Sequence, residues 1–288
     1  LQKEHMIHSA LTTGKYFNLG ENTTGLLCLS IQFIAGKMML IRALLLGWKL
    51  DIVVPDASPL RNTQKEYDFT AMVPLQLENS IKSLHLIKTL IVGGGVVSQR
   101  LQQKIQNVSC AVFATYGMTE TITHIAVKKL NNFQTISSGQ KKNSFYEVLP
   151  DIEIFIDQRN CLVIKSPKIS NHIIFTNDIV QLISEHQFEW LGRFDTIINS
   201  GGIKLHPESI EEKLSRILTT RFFVAGIPDS ILGEKLILVV EGTFQEINIS
   251  QVNLSKFEIP KEIYFVNEFV QTATKKIARK KTLALLSF

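Results

Sequence analysis

The 288 residues are 45% hydrophobic and 20% charged, the balance of a folded chain long enough for one large domain or two unequal ones, which excludes collagen-like, coiled-coil and disordered readings. Thirty-one basic residues against 26 acidic ones leave a net charge of +5, crowded into Lys275, Lys276, Arg279, Lys280 and Lys281, too local for a broad nucleic-acid face. Cys28, Cys110 and Cys161 lie far apart with no C-x-x-C pair, which argues against a disulfide framework or a cysteine zinc site and for a reducing cytosol. The apolar runs fall short of the roughly 20 residues of a membrane span. His5, His8 and Glu4 interrupt anything like a signal peptide at the start.

Apolar residues at helical spacing predict a helix over 3–18, punctuated by Gly20 and Asn22. A short apolar run predicts a strand at 25–31, followed by a helix at 36–47 and a strand at 50–54 closed by Pro55. The alternation then repeats. A helix is expected after Pro59, a strand at 69–73, a helix at 74–84, and an apolar strand at 89–92 leading into Gly93-Gly94-Gly95. Strands and helices alternating at this spacing imply a parallel sheet covered on both faces.

From about residue 135 the texture changes to short alternating segments such as 153–156 and 161–165, separated by polar turns, which reads as antiparallel β structure. A small α+β unit is expected from Asp195, with a helix at 207–218 opened by Pro207 and strands at 222–227 and 235–241. The fold class is therefore α/β. A large domain over 1–194, with a β-rich, barrel-like part at 135–194, precedes a small mobile domain over 195–288.

Glycines at the end of a strand let a backbone approach a ligand closely, although Gly93 to Gly95 lack dinucleotide-fold spacing and read equally well as a tight turn. After the apolar strand 111–113 comes Thr115-Tyr116-Gly117-Met118-Thr119-Glu120. In that loop a planar base can stack on Tyr116, Thr119 can donate to a phosphate oxygen, and Glu120 can offer a hard oxygen to a divalent cation. Alone, the same residues describe a polar turn with a capping threonine. Further blocks follow in order: Thr176-Asn177-Asp178, Gly192-Arg193-Phe194-Asp195, Gly201-Gly202-Ile203-Lys204, Pro207-Glu208-Ser209-Ile210-Glu211, and the tail from Thr272 through Lys276 to Arg279.

The ordered set resembles the adenylate-forming superfamily of acyl-CoA ligases, luciferases and peptide-synthetase adenylation domains. Within it, KEHMIHSALTTGKYFNL and FIAGKMMLIRALLLGWKLDIV at the start are similar to the o-succinylbenzoate-CoA ligases of menaquinone biosynthesis. Other aryl- or acyl-CoA ligases, or a non-catalytic adenylate-binding relative, stay open.

The resemblance implies an enzyme with ATP, Mg²⁺ and coenzyme A as its partners. Gly93, Gly94 and Gly95 would line the adenine and acyl pocket, Tyr116 and Gly117 would meet adenine, Thr119 the α-phosphate, and Glu120 the magnesium. Asp178 would take the ribose hydroxyls, with Asn177 standing where the family has glycine, and Arg193 would add a ribose or phosphate contact. Asp195 would be the hinge, while Gly201, Gly202 and Lys204 would face coenzyme A. Lys276 would bridge carboxylate and α-phosphate during adenylation, here preceded by Lys275 in place of the family's glycine.

A second carboxylate on the acid would need a cationic partner, for which Arg42 and Lys37 are candidates, and His124 would edge the acyl pocket or lie on the surface. The resemblance also implies a phosphate loop. Thr12-Thr13-Gly14-Lys15 echoes it only from inside a predicted helix, so a preceding segment is expected in the whole protein. The sequence leaves a homodimer open.

Overall fold

The computed structural model describes residues 2–133, 145–272 and 277–286. In chain order the elements begin α1 (Lys3–Phe17), β1 (Thr24–Leu27), α2 (Ile34–Leu46), β2 (Lys49–Ile52), β3 (Tyr67–Met72), α3 (Pro74–Ser80), β4 (Ile87–Val92), α4 (Gln99–Lys104), β5 (Ala111–Gly117) and β6 (His124–Lys129). They continue as β7 (Tyr146–Val148), β8 (Glu153–Ile156), β9 (Cys161–Lys165), β10 (Ile174–Ser184) and β11 (Gln187–Arg193). The last group is β12 (Ile198–Ser200), β13 (Ile203–Leu205), α5 (Pro207–Leu214), β14 (Phe222–Asp229), β15 (Gly233–Glu241), β16 (Glu262–Val266) and α6 (Arg279–Leu283).

The chain divides into two compact units, Leu1–Thr176 with Val180–Trp190, and Asn177–Ile179 with Leu191–Phe288. In the first, β2, β1, β3, β4 and β5 pair in parallel, as the alternation predicts. Side chains along these strands alternate between two cores. Leu26, Leu90, Val92 and Val112 meet Leu77 of α3 and Leu101 of α4 on one face, while Leu27, Phe69 and Ile91 meet Met39 and Ala43 of α2 on the other. This is why the strands are apolar throughout instead of half polar.

The antiparallel segments do not start a separate sheet. β6 pairs antiparallel with β5 and with β7, and the run continues in the order β7-β11-β10-β9-β8, making eleven strands in one sheet.

One expected element is replaced by turns. After Pro59 the chain makes Arg61 N–H to Ser58 O and Thr63 N–H to Leu60 O contacts and forms no helix. Only Leu60 in that stretch is a buried apolar anchor, and a helix with a single inward residue has no face to bury. The helix expected over 74–84 is α-helical only to Ser80 and tightens to a 3₁₀ turn over Ile81–Leu86.

The second unit carries a five-stranded sheet in the order β13-β12-β15-β14, with β16 pairing in parallel to β15. Ile210 and Leu214 of α5 pack with Val224, Leu236 and Val240, and the opposite face buries Phe223, Ile237, Val239 and Phe269.

Candidate functional site

In the first unit the glycine turn and the Tyr116 loop leave adjacent parallel strands at their carboxyl ends, where open α/β sheets receive ligands. A Cβ placed on Gly93 would come within 2.5 Å of Thr115 Oγ1, so the two loops touch. Gly117 is confined more tightly: a Cβ there would meet Thr123 O at 2.3 Å and His124 Cα at 2.6 Å, at the register shift between β5 and β6. Tyr116 meets Phe188 edge to face at 5.2 Å and Tyr146 at 5.9 Å. Thr119 and Glu120 are exposed, with their oxygens available to a phosphate and a hard cation.

Thr121 organises this loop. Its fully buried hydroxyl accepts from Met118 N–H at 2.9 Å and donates to Thr123 O at 2.7 Å. Ile122 follows at φ 66° and ψ −59°, with Thr123 N–H bonded to Thr121 O at 2.7 Å. That is the rare positive-φ γ-turn, strained for a β-branched residue, and the buried Ile122 side chain holds it in the core with Ile125 and Phe188.

The strained turn delivers Thr123 and His124 to Arg42. Arg42 on α2 is 1% exposed, whereas Lys37 on the same helix is exposed, so the structure separates the two candidate cations. Nη2 of Arg42 donates to Thr123 Oγ1 at 3.4 Å, and its buried Nε has no hydrogen-bond partner among the described residues. No carboxylate of the described residues pairs with it. Burial alone pushes the guanidinium down to about 10. His124 is buried beside it, and burial together with the Arg42 charge holds the imidazole well below its ordinary value. Thr13, which in the sequence only echoes a phosphate loop, is the far contact of that histidine, a pairing that 111 residues of separation keep out of any sequence pattern.

The second unit places Asp178, Arg193 and Asp195 together. Arg193 grips Asp195 through Nε at 2.9 Å and Nη2 at 3.1 Å, and its Nη1 lies 3.8 Å from the buried Asp178. The paired guanidinium holds the Asp195 carboxyl below the usual carboxylate range. Glu208, in the first turn of α5, accepts from Thr196 Oγ1 at 2.9 Å. Gly201 and Gly202 form the two-residue turn of the β12–β13 hairpin, with φ of 60° and 80°, the primed geometry that glycine adopts freely. Both glycines and Lys204 are exposed. Lys276 lies outside the described residues.

This architecture, with the glycine turn and the Tyr116 loop at the carboxyl ends of a doubly covered sheet and a carboxylate–arginine group in a smaller α+β unit, is the fold of the adenylate-forming superfamily. The chain is 34% identical to an AMP-forming acyl-CoA synthetase/AMP-acid ligase II-like protein from Dyadobacter fermentans DSM 18053, over all of this chain and 85% of that one, with a TM-score of 0.63. It belongs to that family of AMP-forming acyl-CoA synthetases.

A 2-succinylbenzoate–CoA ligase from Lactococcus lactis subsp. lactis (strain IL1403) is 25% identical over 299 residues, 96% of this chain and 64% of the relative. The o-succinylbenzoate coenzyme A synthetase of Bacillus subtilis, in complex with ATP and magnesium ion, shares the fold with a TM-score of 0.84 at 18% identity, over 98% of this chain and 66% of that one. The chain thus spans about 64–66% of the length of the curated relatives it matches. No family model matches it. No helix among the described residues is long and apolar enough to cross a membrane.

Proposed function

We propose that the chain is part of an ATP-dependent acid-CoA ligase that works through an acyl-adenylate, with o-succinylbenzoate as its acid. The observation that carries the choice of acid is Arg42: a buried guanidinium without a carboxylate partner among the described residues is costly unless an anion joins it. A monocarboxylic acid spends its one carboxylate on the reaction. A dicarboxylic acid has a second to place against Arg42.

In the proposed first half-reaction a substrate carboxylate oxygen attacks the α-phosphorus of ATP, forming the acyl-phosphate bond and releasing pyrophosphate. Tyr116 and Gly93 to Gly95 hold the adenine, the Thr119 hydroxyl donates to the α-phosphate, and Asp178 and Arg193 hold the ribose. Lys276 supplies positive charge between the carboxylate and the phosphate. The exposed Glu120 and the oxygens around it fit a magnesium ion, which when bound neutralises phosphate charge. In the second half-reaction the thiol of coenzyme A attacks the acyl carbon and AMP leaves. Asp195 is proposed as the hinge that lets the small domain, taken from 195 onward, change its task, and Gly201, Gly202 and Lys204 as the face that meets coenzyme A.

The three buried cysteines suit a cytosolic location. The reading is tested by acid-dependent exchange of pyrophosphate into ATP, comparing o-succinylbenzoate with benzoate and fatty acids. Exchange with o-succinylbenzoate well above the others is expected, and exchange with none of them sinks the ligase reading.

A further inference from the structure

His124 sits in a hydrogen-bond chain whose directions are fixed by chemistry. Thr13 Oγ1 donates to Ser9 O one helical turn back, at 2.9 Å, so its only hydrogen is spent and the oxygen can only accept. The Nε2 of His124, 3.5 Å away, must therefore be the protonated nitrogen. A neutral imidazole has one donor and one acceptor, which leaves Nδ1 to accept from Thr123 Oγ1 at 3.4 Å. With that hydroxyl hydrogen spent in turn, Thr123 Oγ1 is free to accept from Nη2 of Arg42 at 3.4 Å. Every link agrees with its neighbours, and the chain runs from Arg42 through Thr123, His124 and Thr13 to the backbone of α1.

We propose that His124 is a positioning residue for acid specificity, fixing the guanidinium of Arg42 in the orientation that pairs with the second carboxylate of a dicarboxylic substrate. The inference rests on the reading of this chain as a dicarboxylate-CoA ligase and deepens it. The neutral state that the chain requires is the one the surroundings enforce, because burial first and the Arg42 charge second oppose protonation of the ring. A protonated ring would have no acceptor for Thr123 and would repel Arg42. The strained turn at Ile122 supports the same conclusion, since it presents Thr123 and His124 as consecutive links.

The test compares two acids in the full gene product: o-succinylbenzoate, and 4-oxo-4-phenylbutanoate, which keeps the succinyl arm and lacks the ring carboxylate. His124→Ala is expected to raise KM for the dicarboxylate by about tenfold, with kcat and the KM for ATP held within about twofold. The KM for the monocarboxylate stays unchanged. Thr13→Val, which removes the far acceptor, moves the same KM in the same direction by less. His124→Gln, whose amide both accepts and donates, returns it to within about threefold of wild type.

Equal KM changes for both acids, or no change for either, would overturn the proposal by reducing His124 to packing. Should His124→Ala fail to fold, Thr13→Val and His124→Gln carry the same comparison. A wild-type protein that activates neither acid would instead overturn the ligase reading on which the proposal rests.

Discussion

Glu211 on α5 accepts a hydrogen bond from Nη2 of Arg279 at 2.8 Å across 68 residues of sequence. The same carboxylate accepts from Val224 N–H at 2.9 Å, and the Arg279 guanidinium lies over the Phe223 ring, 5.7 Å from its centre. This pair ties the first helix of the second unit to the tail. On the near side, Gln271 bridges Ile277 and Ala278 N–H bonds to Val270 O at 2.8 Å, so the residues flanking 273–276 are pinned on both sides.

Burial dominates at Glu211 and raises its carboxyl from 4.5 to about 7 against the opposing pull of Arg279. The folded protein thus holds this proton more tightly than the unfolded chain. Its stabilising contribution is full below 4.5 and is lost as pH rises through about 7. Thermal unfolding from pH 5 to pH 8 should show wild type losing stability relative to Glu211→Gln over that interval, with a flat difference above it. A wild type that gains stability relative to Glu211→Gln as pH rises would contradict this sign.

The role proposed for Arg42 sets stability against function. Replacing it with Met fills the volume without a buried charge, a change that is often neutral or stabilising by about 1–4 kcal/mol. The midpoint of thermal unfolding should hold or rise for Arg42→Met, while KM for o-succinylbenzoate climbs about 30-fold, the effect of ~2 kcal/mol of lost charge pairing. Both readings come from one preparation, by differential scanning fluorimetry and steady-state kinetics.

Gly117 admits no side chain, because its Cβ would overlap backbone atoms of Thr123 and His124 instead of a side chain able to swing away. Gly117→Ala must push apart the β5–β6 junction from which Thr119 and Glu120 project. Pyrophosphate release is expected to fall by about 100-fold, since small misplacements of positioning groups are costly. Rates near wild type would show that the loop tolerates the shift.

Ile122 and Ile125 are buried in the same cluster at 2% and 0% exposure, but only Ile122 has a positive φ. Glycine relieves strain at the first site and adds chain entropy at the second. In urea unfolding, Ile122→Gly should cost about 1–3 kcal/mol less than Ile125→Gly. Equal losses would mean that the turn stores no strain.

Much of the scaffold was legible because its signals are local. The apolar stretches 89–92 and 111–113 lead into the glycine turn and the Tyr116 loop, and both form neighbouring parallel strands. Pro207 opens α5 as its fixed φ dictates. Local signals do not say which edges join: the antiparallel strands read as a β-rich, barrel-like part of the large domain, and through β6 and β7 they continue the same sheet as the parallel strands.

The group proposed to recognise the acid was harder to see. Arg42 in the apolar run Leu40-Ile41-Arg42-Ala43-Leu44 is a visible anomaly, and it distinguished this residue from Lys37 only once burial was known. Its chain of partners comes from α1 and from the start of β6, contacts that no periodicity encodes. Nor did spacing reveal that Asp195 is gripped by Arg193, two residues before it in the same motif.

The most direct test is mass detection of the CoA thioester after incubating the full gene product with o-succinylbenzoate, MgATP and coenzyme A. The expected result is o-succinylbenzoyl-CoA formed together with AMP and pyrophosphate, and none when ATP is omitted. Nucleotide binding with neither pyrophosphate nor thioester produced would contradict it and leave an adenylate-binding protein without ligase activity.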